Sequence, residues 1–183
     1  MKSTLIYFGA WVAASGVAVF LAVAAPSEST VMGRLPSFIS HTLTRQTVVV
    51  PSGLPSERTL ALITFQRSQH VEAESWIHGL NLKNDASIAW MRMPVLNDPG
   101  TPSGRNAVET RLLGHYPSDA ERAKLVPVFT DRAGFVRSAG LQGIDHFYAV
   151  VVNRSGDVLA RVEGQFNPDK AQILRETLLA RNF

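Results

Sequence analysis

The chain has no cysteine. That absence excludes disulfides, thiolate nucleophiles, cysteine-ligated zinc and iron–sulfur clusters. Lysine is scarce: 4 of the 18 Lys and Arg residues, with the arginines scattered along the chain. Without a basic stripe, a net charge of +3 and a pI near 9.6 give no footprint for nucleic acid. No acid precedes Glu28, and Lys2 is the only charged side chain before it. There is no internal repeat, and no low-complexity segment beyond an apolar N-terminal stretch.

That stretch, residues 4–25, is uncharged and rich in Ala, Val, Leu and aromatics. Two readings stay open. A secretory signal would use Lys2 as its basic start and the small residues at 22–25 as its cleavage site. A membrane anchor would use the whole apolar helix, which is long enough to cross a bilayer. Lys2 favours an N-in orientation, so either reading places the body outside the cytoplasm, periplasmic or in the cell envelope. Residues 26–46 read as linker and lead-in, and 47–183 as the folded domain.

In the body, TVVV at 47–50 reads as a short strand stopped by Pro51. TLALITF at 59–65 is a near-continuous apolar run, as in a strand buried on both faces. Residues 66–68 lead into a helix to about Leu82, with Ala73, Trp76, Ile77 and Leu80 on its apolar face. A strand over 87–95 ends at Pro94, and 97–104 is loop. Residues 107–113 form a short helix, and HYP at 115–117 is loop. LVPVF at 125–129 is a short inner segment, and 131–140 is helical with Phe135 and Val136 inward. The last forty residues are the clearest part. FYAVVVN at 147–153, a turn with Gly156, and VLARVE at 158–163 make a hairpin. Asn167 then caps a helix that has Pro168 at its first position and Ala171, Leu174 and Leu178 on one face. Helices between buried strands imply parallel pairing, with the final pair antiparallel. The expected fold is α/β, a mixed central sheet covered on both sides.

Residues 35–179 resemble the thioredoxin-like superfamily, especially its peroxiredoxin and extracytoplasmic thiol-disulfide branches. The resemblance rests on the run at 59–65, on VPVFTD at 126–131 followed by GLQG at 140–143, and on VVVNRSGD at 150–157 followed by Gly164. Trp76, MPV at 93–95, TDR at 130–132, Phe135 and VLARVEG at 158–164 resemble a cysteine-poor bacterial branch. That branch is distantly similar to the mitochondrial ATP-synthase assembly factor of the same fold. The resemblance implies a three-layer α/β/α domain behind the N-terminal apolar helix. On a gapless match, His70 and Ala73 stand where the family carries its redox cysteines. The family's cis-proline falls near Asp145. Both parts of the thiol machinery are missing, which excludes disulfide exchange and thiol peroxidase activity.

The expected function is therefore a non-catalytic binding or assembly-helper module, with no cofactor. Its candidate surface for a protein partner is Gln66, Arg67, Ser68, His70, Asp145 and His146. The alternatives are a hydrolytic or metal-dependent enzyme using His70, Glu74 or His146, and an envelope structural protein. His70, Glu74 and His78 share one helix flank, but His70 and His78 lie about 12 Å apart, too far for one metal. A His–Asp pairing of His70 with Asp145 would suit acid–base work, yet no nucleophile motif supports it. Asn153-Arg154-Ser155 matches a glycosylation acceptor, relevant only in a eukaryotic secretory host. Residues 99–104 are a possible binding loop, though such loops are more often connectors.

Overall fold

The computed structural model describes residues 31–180. The apolar stretch 4–25 lies outside the described residues. Among those described, no helix is long and apolar enough to cross a membrane.

The chain builds β1 (Phe38–His41), β2 (Thr47–Val50) and β3 (Arg58–Thr64). A 3-10 turn, Arg67–Gln69, then leads into α1 (His70–Gly79). β4 (Trp90–Asn97), α2 (Pro102–His115), α3 (Asp119–Ala123), β5 (Val128–Thr130) and α4 (Arg132–Ser138) follow. β6 (Tyr148–Asn153), β7 (Val158–Glu163) and α5 (Pro168–Leu179) complete it. The main sheet runs β5-β4-β3-β6-β7, and β1 and β2 form a separate antiparallel ribbon.

β3 is buried along its five inner residues, as its unbroken apolar run requires. It pairs in parallel with β4 and antiparallel with β6. β4 pairs in parallel with β5, and β6 with β7 antiparallel, so the sheet is mixed. The successive residues of each strand feed two cores. Ala61, Ile63, Met93 and Val150 point to one face and meet Phe135 of α4. Leu60, Leu62, Trp90, Ala149 and Val151 point to the other, against Ala73, Trp76 and Ile77 of α1 and Ala171 and Leu174 of α5. The indole of Trp76 is fully buried, and its N–H donates to the Gly164 carbonyl at 2.8 Å. That bond ties α1 to the end of β7.

Several elements depart from the sequence reading. The lead-in contributes a strand, β1, and anchors itself before it. The Met32 N–H donates to the Val158 carbonyl, and the Val158 N–H to the Gly33 carbonyl, both at 2.9 Å. The segment passes so close to Gly140 that a Cβ there would lie 2.0 Å from the Met32 carbonyl oxygen. Pro94 does not end β4; the strand runs on to Asn97. The Arg92 N–H and C=O both bond to the 124–126 segment. Two residues on, the donorless nitrogen of Pro94 faces that same side, where β5 pairing starts only at Val95. α2 is twice the expected length, because Thr101 caps it by accepting from the Gly104 N–H and Pro102 takes its first turn. β6 lies antiparallel to β3 although helices separate them in sequence. The C-terminal helix begins as expected, with the Asn167 side chain accepting from the N–H groups of Asp169 and Lys170.

Candidate functional site

The C-terminal ends of β3 and β4 open onto the start of α1, and the loop 141–147 closes one side. Gln69 sits at their junction and is 2% exposed. Its side-chain oxygen accepts from the N–H groups of Phe65 at 2.7 Å and Gln66 at 3.1 Å. Its amide nitrogen donates to the Ile144 carbonyl at 2.8 Å. One side chain thus satisfies the end of β3 and pins the loop that leads to β6. Arg132 clasps the same end, donating from Nη2 to the Phe65 carbonyl at 2.6 Å and from Nε to the Val95 carbonyl at 3.2 Å. The sequence reading named neither Gln69 nor Arg132 as part of this site. A buried glutamine among exposed neighbours has no periodic signature.

The exposed candidates divide into two groups. Gln66 reaches across to the loop, its amide 3.4 Å from both the Ile144 carbonyl and Asp145 Oδ1. Asp145 and His146 are exposed beside it. His70 turns instead toward α2. Its Nδ1 is 3.4 Å from the Tyr116 hydroxyl, and its Nε2 is 3.6 Å from Glu74 Oε1. Arg67 reaches the same side, with Nη2 2.5 Å from His115 Nε2. Ser68 is exposed in the 3-10 turn. Ala73 is buried in the core under α1 and cannot present a reactive group. The peptide bonds around Asp145 are trans; the cis bond among the described residues is Val50–Pro51.

His70, Glu74 and His78 do not converge. Among the described residues, no group of three His, Asp or Glu side chains could hold a metal. Glu74 is committed to Arg92, whose Nη2 lies 2.5 Å from its Oε1. The guanidinium of Arg92 is stacked against the Tyr116 ring at 5.2 Å and lies 6.0 Å from that of Trp90. Burial holds the Tyr116 hydroxyl above the ordinary tyrosine range, with the Arg92 charge opposing. The arrangement supplies polar contacts and fixed charges, with the Tyr116 hydroxyl beside the His70 imidazole.

No family model matches the chain, and no curated protein matches it in sequence. Solved structures match its fold. BsSco, a member of the Sco family of cytochrome c oxidase assembly proteins, is 16% identical with a TM-score of 0.52, over 79% of this chain and 91% of that one. An Aquifex aeolicus VF5 protein assigned to electron transfer is 12% identical with a TM-score of 0.56, over 83% and 99%. The pneumococcal exposed lipoprotein thioredoxin Etrx1 from Streptococcus pneumoniae strain TIGR4 is 13% identical with a TM-score of 0.50, over 78% and 98%. The fold is thioredoxin-like, as the sequence resemblance implied, and this version of it is cysteine-free.

Proposed function

We propose that this chain is a thiol-free binding module on a thioredoxin-like scaffold. It works outside the cytoplasm and helps a protein partner assemble. The face it presents is Gln66, Arg67, Ser68, His70, Asp145 and His146. The observation that carries this reading is the role of Gln69. Next to His70, which the resemblance sets at one of the family's two cysteine places, this chain buries a side-chain amide bonded to three backbone groups. That end of the sheet is held in place and ringed by exposed polar side chains of both signs. A preorganised polar surface suits recognition, because binding then pays little further ordering cost. The description of BsSco as an assembly protein supports the helper role. The description of Etrx1 as an exposed lipoprotein, with the apolar residues 4–25, supports the location. If uncleaved, those residues would also hold the chain to the membrane.

The test is crosslinking in intact cells with a C-terminally tagged chain, followed by mass spectrometry. A single recurrent envelope partner is expected, joined through 66–70 or 145–146. The combined variant Gln66→Ala, His70→Ala, Asp145→Ala should lose that partner while melting like the parent. An unchanged partner set in the folded variant would reject the reading.

A further inference from the structure

Protein interiors rarely leave voids much larger than a water molecule. Beneath α2 this one leaves a half-open cavity of about 890 Å³, in the size range of small-molecule sites. α2 explains it. None of its residues is buried, so the helix roofs the sheet without packing onto it. Its apolar side chains Val108 and Leu112, one turn apart, line the cavity from above. Leu62, Pro94 and Leu96 line it from the sheet. The helix is held in place by polar contacts at its margins: Arg45 with Glu109 at 2.9 Å, Arg105 with Asp98 at 2.5 Å, and Arg67 with His115.

A second observation is independent of the volume. Arg92 lines this apolar space and is 3% exposed. Its Nη2 bonds to Glu74, with Tyr116 close beside the guanidinium. Its Nε and Nη1 are buried with no hydrogen-bond partner. Buried polar groups are nearly always satisfied, and an arginine donor left unpaired is costly. The donors of Arg92 call for an acceptor that the protein does not provide. The cavity lining also carries Arg67, Arg111, His70 and His115, and no acidic side chain.

We infer that the cavity binds a small amphiphile, an apolar chain or ring system ending in one carboxylate, with the carboxylate on Arg92. The apolar walls take the tail. The guanidinium offers charge-assisted hydrogen bonds to the head. A single negative charge fits better than a phosphate dianion, because Glu74 already offsets part of the Arg92 charge. The cavity shares Gln66, Arg67, Ser68 and His70 with the proposed partner surface but does not depend on that reading, since ligand binding by the isolated chain and partner capture in cells are separately measurable.

The full chain would be titrated with dodecanoate below its micelle concentration and followed by tryptophan fluorescence, since Trp90 lies beside Arg92. Dodecanol and an apolar hexapeptide with a free C-terminus would be run in parallel. Saturable binding of one dodecanoate per chain is expected, about tenfold or more tighter than dodecanol. The paired variant Arg92→Met, Glu74→Gln removes both charges at similar volume. It should lower dodecanoate affinity to within about twofold of dodecanol, the loss that a missing charge-assisted bond predicts. Leu112→Trp, made on the exposed roof helix, should fill the cavity and weaken both ligands. Absence of saturable dodecanoate binding, equal affinity for the alcohol, or an unchanged preference in the folded paired variant would each overturn the inference. So would tighter binding of the peptide than of dodecanoate.

Discussion

The amide nitrogen of Gln69 donates to the carbonyl of Ile144 at 2.8 Å, joining the start of the first main helix to a loop 75 residues away. The same side chain holds the Phe65 N–H. Replacing Gln69 with Leu keeps the volume and strands a buried donor and acceptor. A loss of about 2 kcal/mol is expected in urea unfolding, near the cost of one or two unsatisfied buried groups. Gln69→Glu should lose at least as much at neutral pH, where a buried carboxylate faces the Ile144 carbonyl, and should regain part of it in acid, where the protonated group can donate to that carbonyl. The same loss at both pH values would show that the donor-acceptor pattern is not what matters.

Glu74→Ala leaves Arg92 buried beside no carboxylate. Complete burial of such a charge costs several kcal/mol when its partner is removed. Glu74 is 38% exposed, so water can take over part of its role, and a loss of about 2 kcal/mol is expected. The double change Arg92→Met, Glu74→Gln should sit within about 1 kcal/mol of the parent, since an uncharged pair avoids the cost of desolvating two ions. Denaturant melts of the three chains give the comparison; a double variant weaker than Glu74→Ala would contradict it.

Gly140 has φ +66, and the Met32 carbonyl oxygen occupies the place of its missing Cβ. Gly140→Ala should cost about 2 kcal/mol or more, combining backbone strain with displacement of the lead-in. Limited proteolysis should then cut near residues 31–36, which the parent protects. Equal protection in the two chains would mean that the lead-in docks without the close approach.

Asp157 accepts from both nitrogens of Arg34 that face it, at 3.0 and 2.7 Å, and from the Asn153 amide at 3.1 Å. The Arg34 bond first, and the Asn153 bond second, hold its carboxyl below its ordinary value of 3.8. A depressed folded-state pKa stabilises the fold fully above the unfolded value. That contribution is lost as pH falls through the folded one. Stability should therefore drop below about pH 4 by more in the parent than in Asp157→Asn. Urea midpoints from neutral pH down to about pH 2 would show the two curves converging; parallel curves would exclude this carboxyl as a contributor.

The parts of the fold readable in the sequence were those where one physical demand acts alone. The unbroken apolar run of β3, Gly156 in its turn at φ +91, and the Asn167-Pro168 helix start each follow from local chemistry. β1 was hidden because its inward positions carry Phe38 and Ser40 while Ile39, opposite Val49, is 71% exposed, so apolar residues do not mark its buried face. α2 was underestimated because a helix over a cavity needs no dense apolar stripe. Arg92 looks in sequence like any solvated arginine. Its burial depends on Glu74, Tyr116 and Trp90, brought from other elements or from two residues away on its own strand. Gln66 and Asp145, named together from the sequence, come within 3.4 Å of each other, whereas the contact of His70 with Tyr116 joins residues 46 apart and leaves no local signal.

The docking of the lead-in sets where the molecule can be held. Its contacts at Met32, Gly33 and Arg34 lie beside the β6–β7 hairpin turn. Gln69 and Ile144 lie at the other end of the same strands. β6 alone spans six residues between them, about 20 Å. The first described residues therefore fasten the domain at the hairpin end of β6, about one strand length from the bond between Gln69 and Ile144.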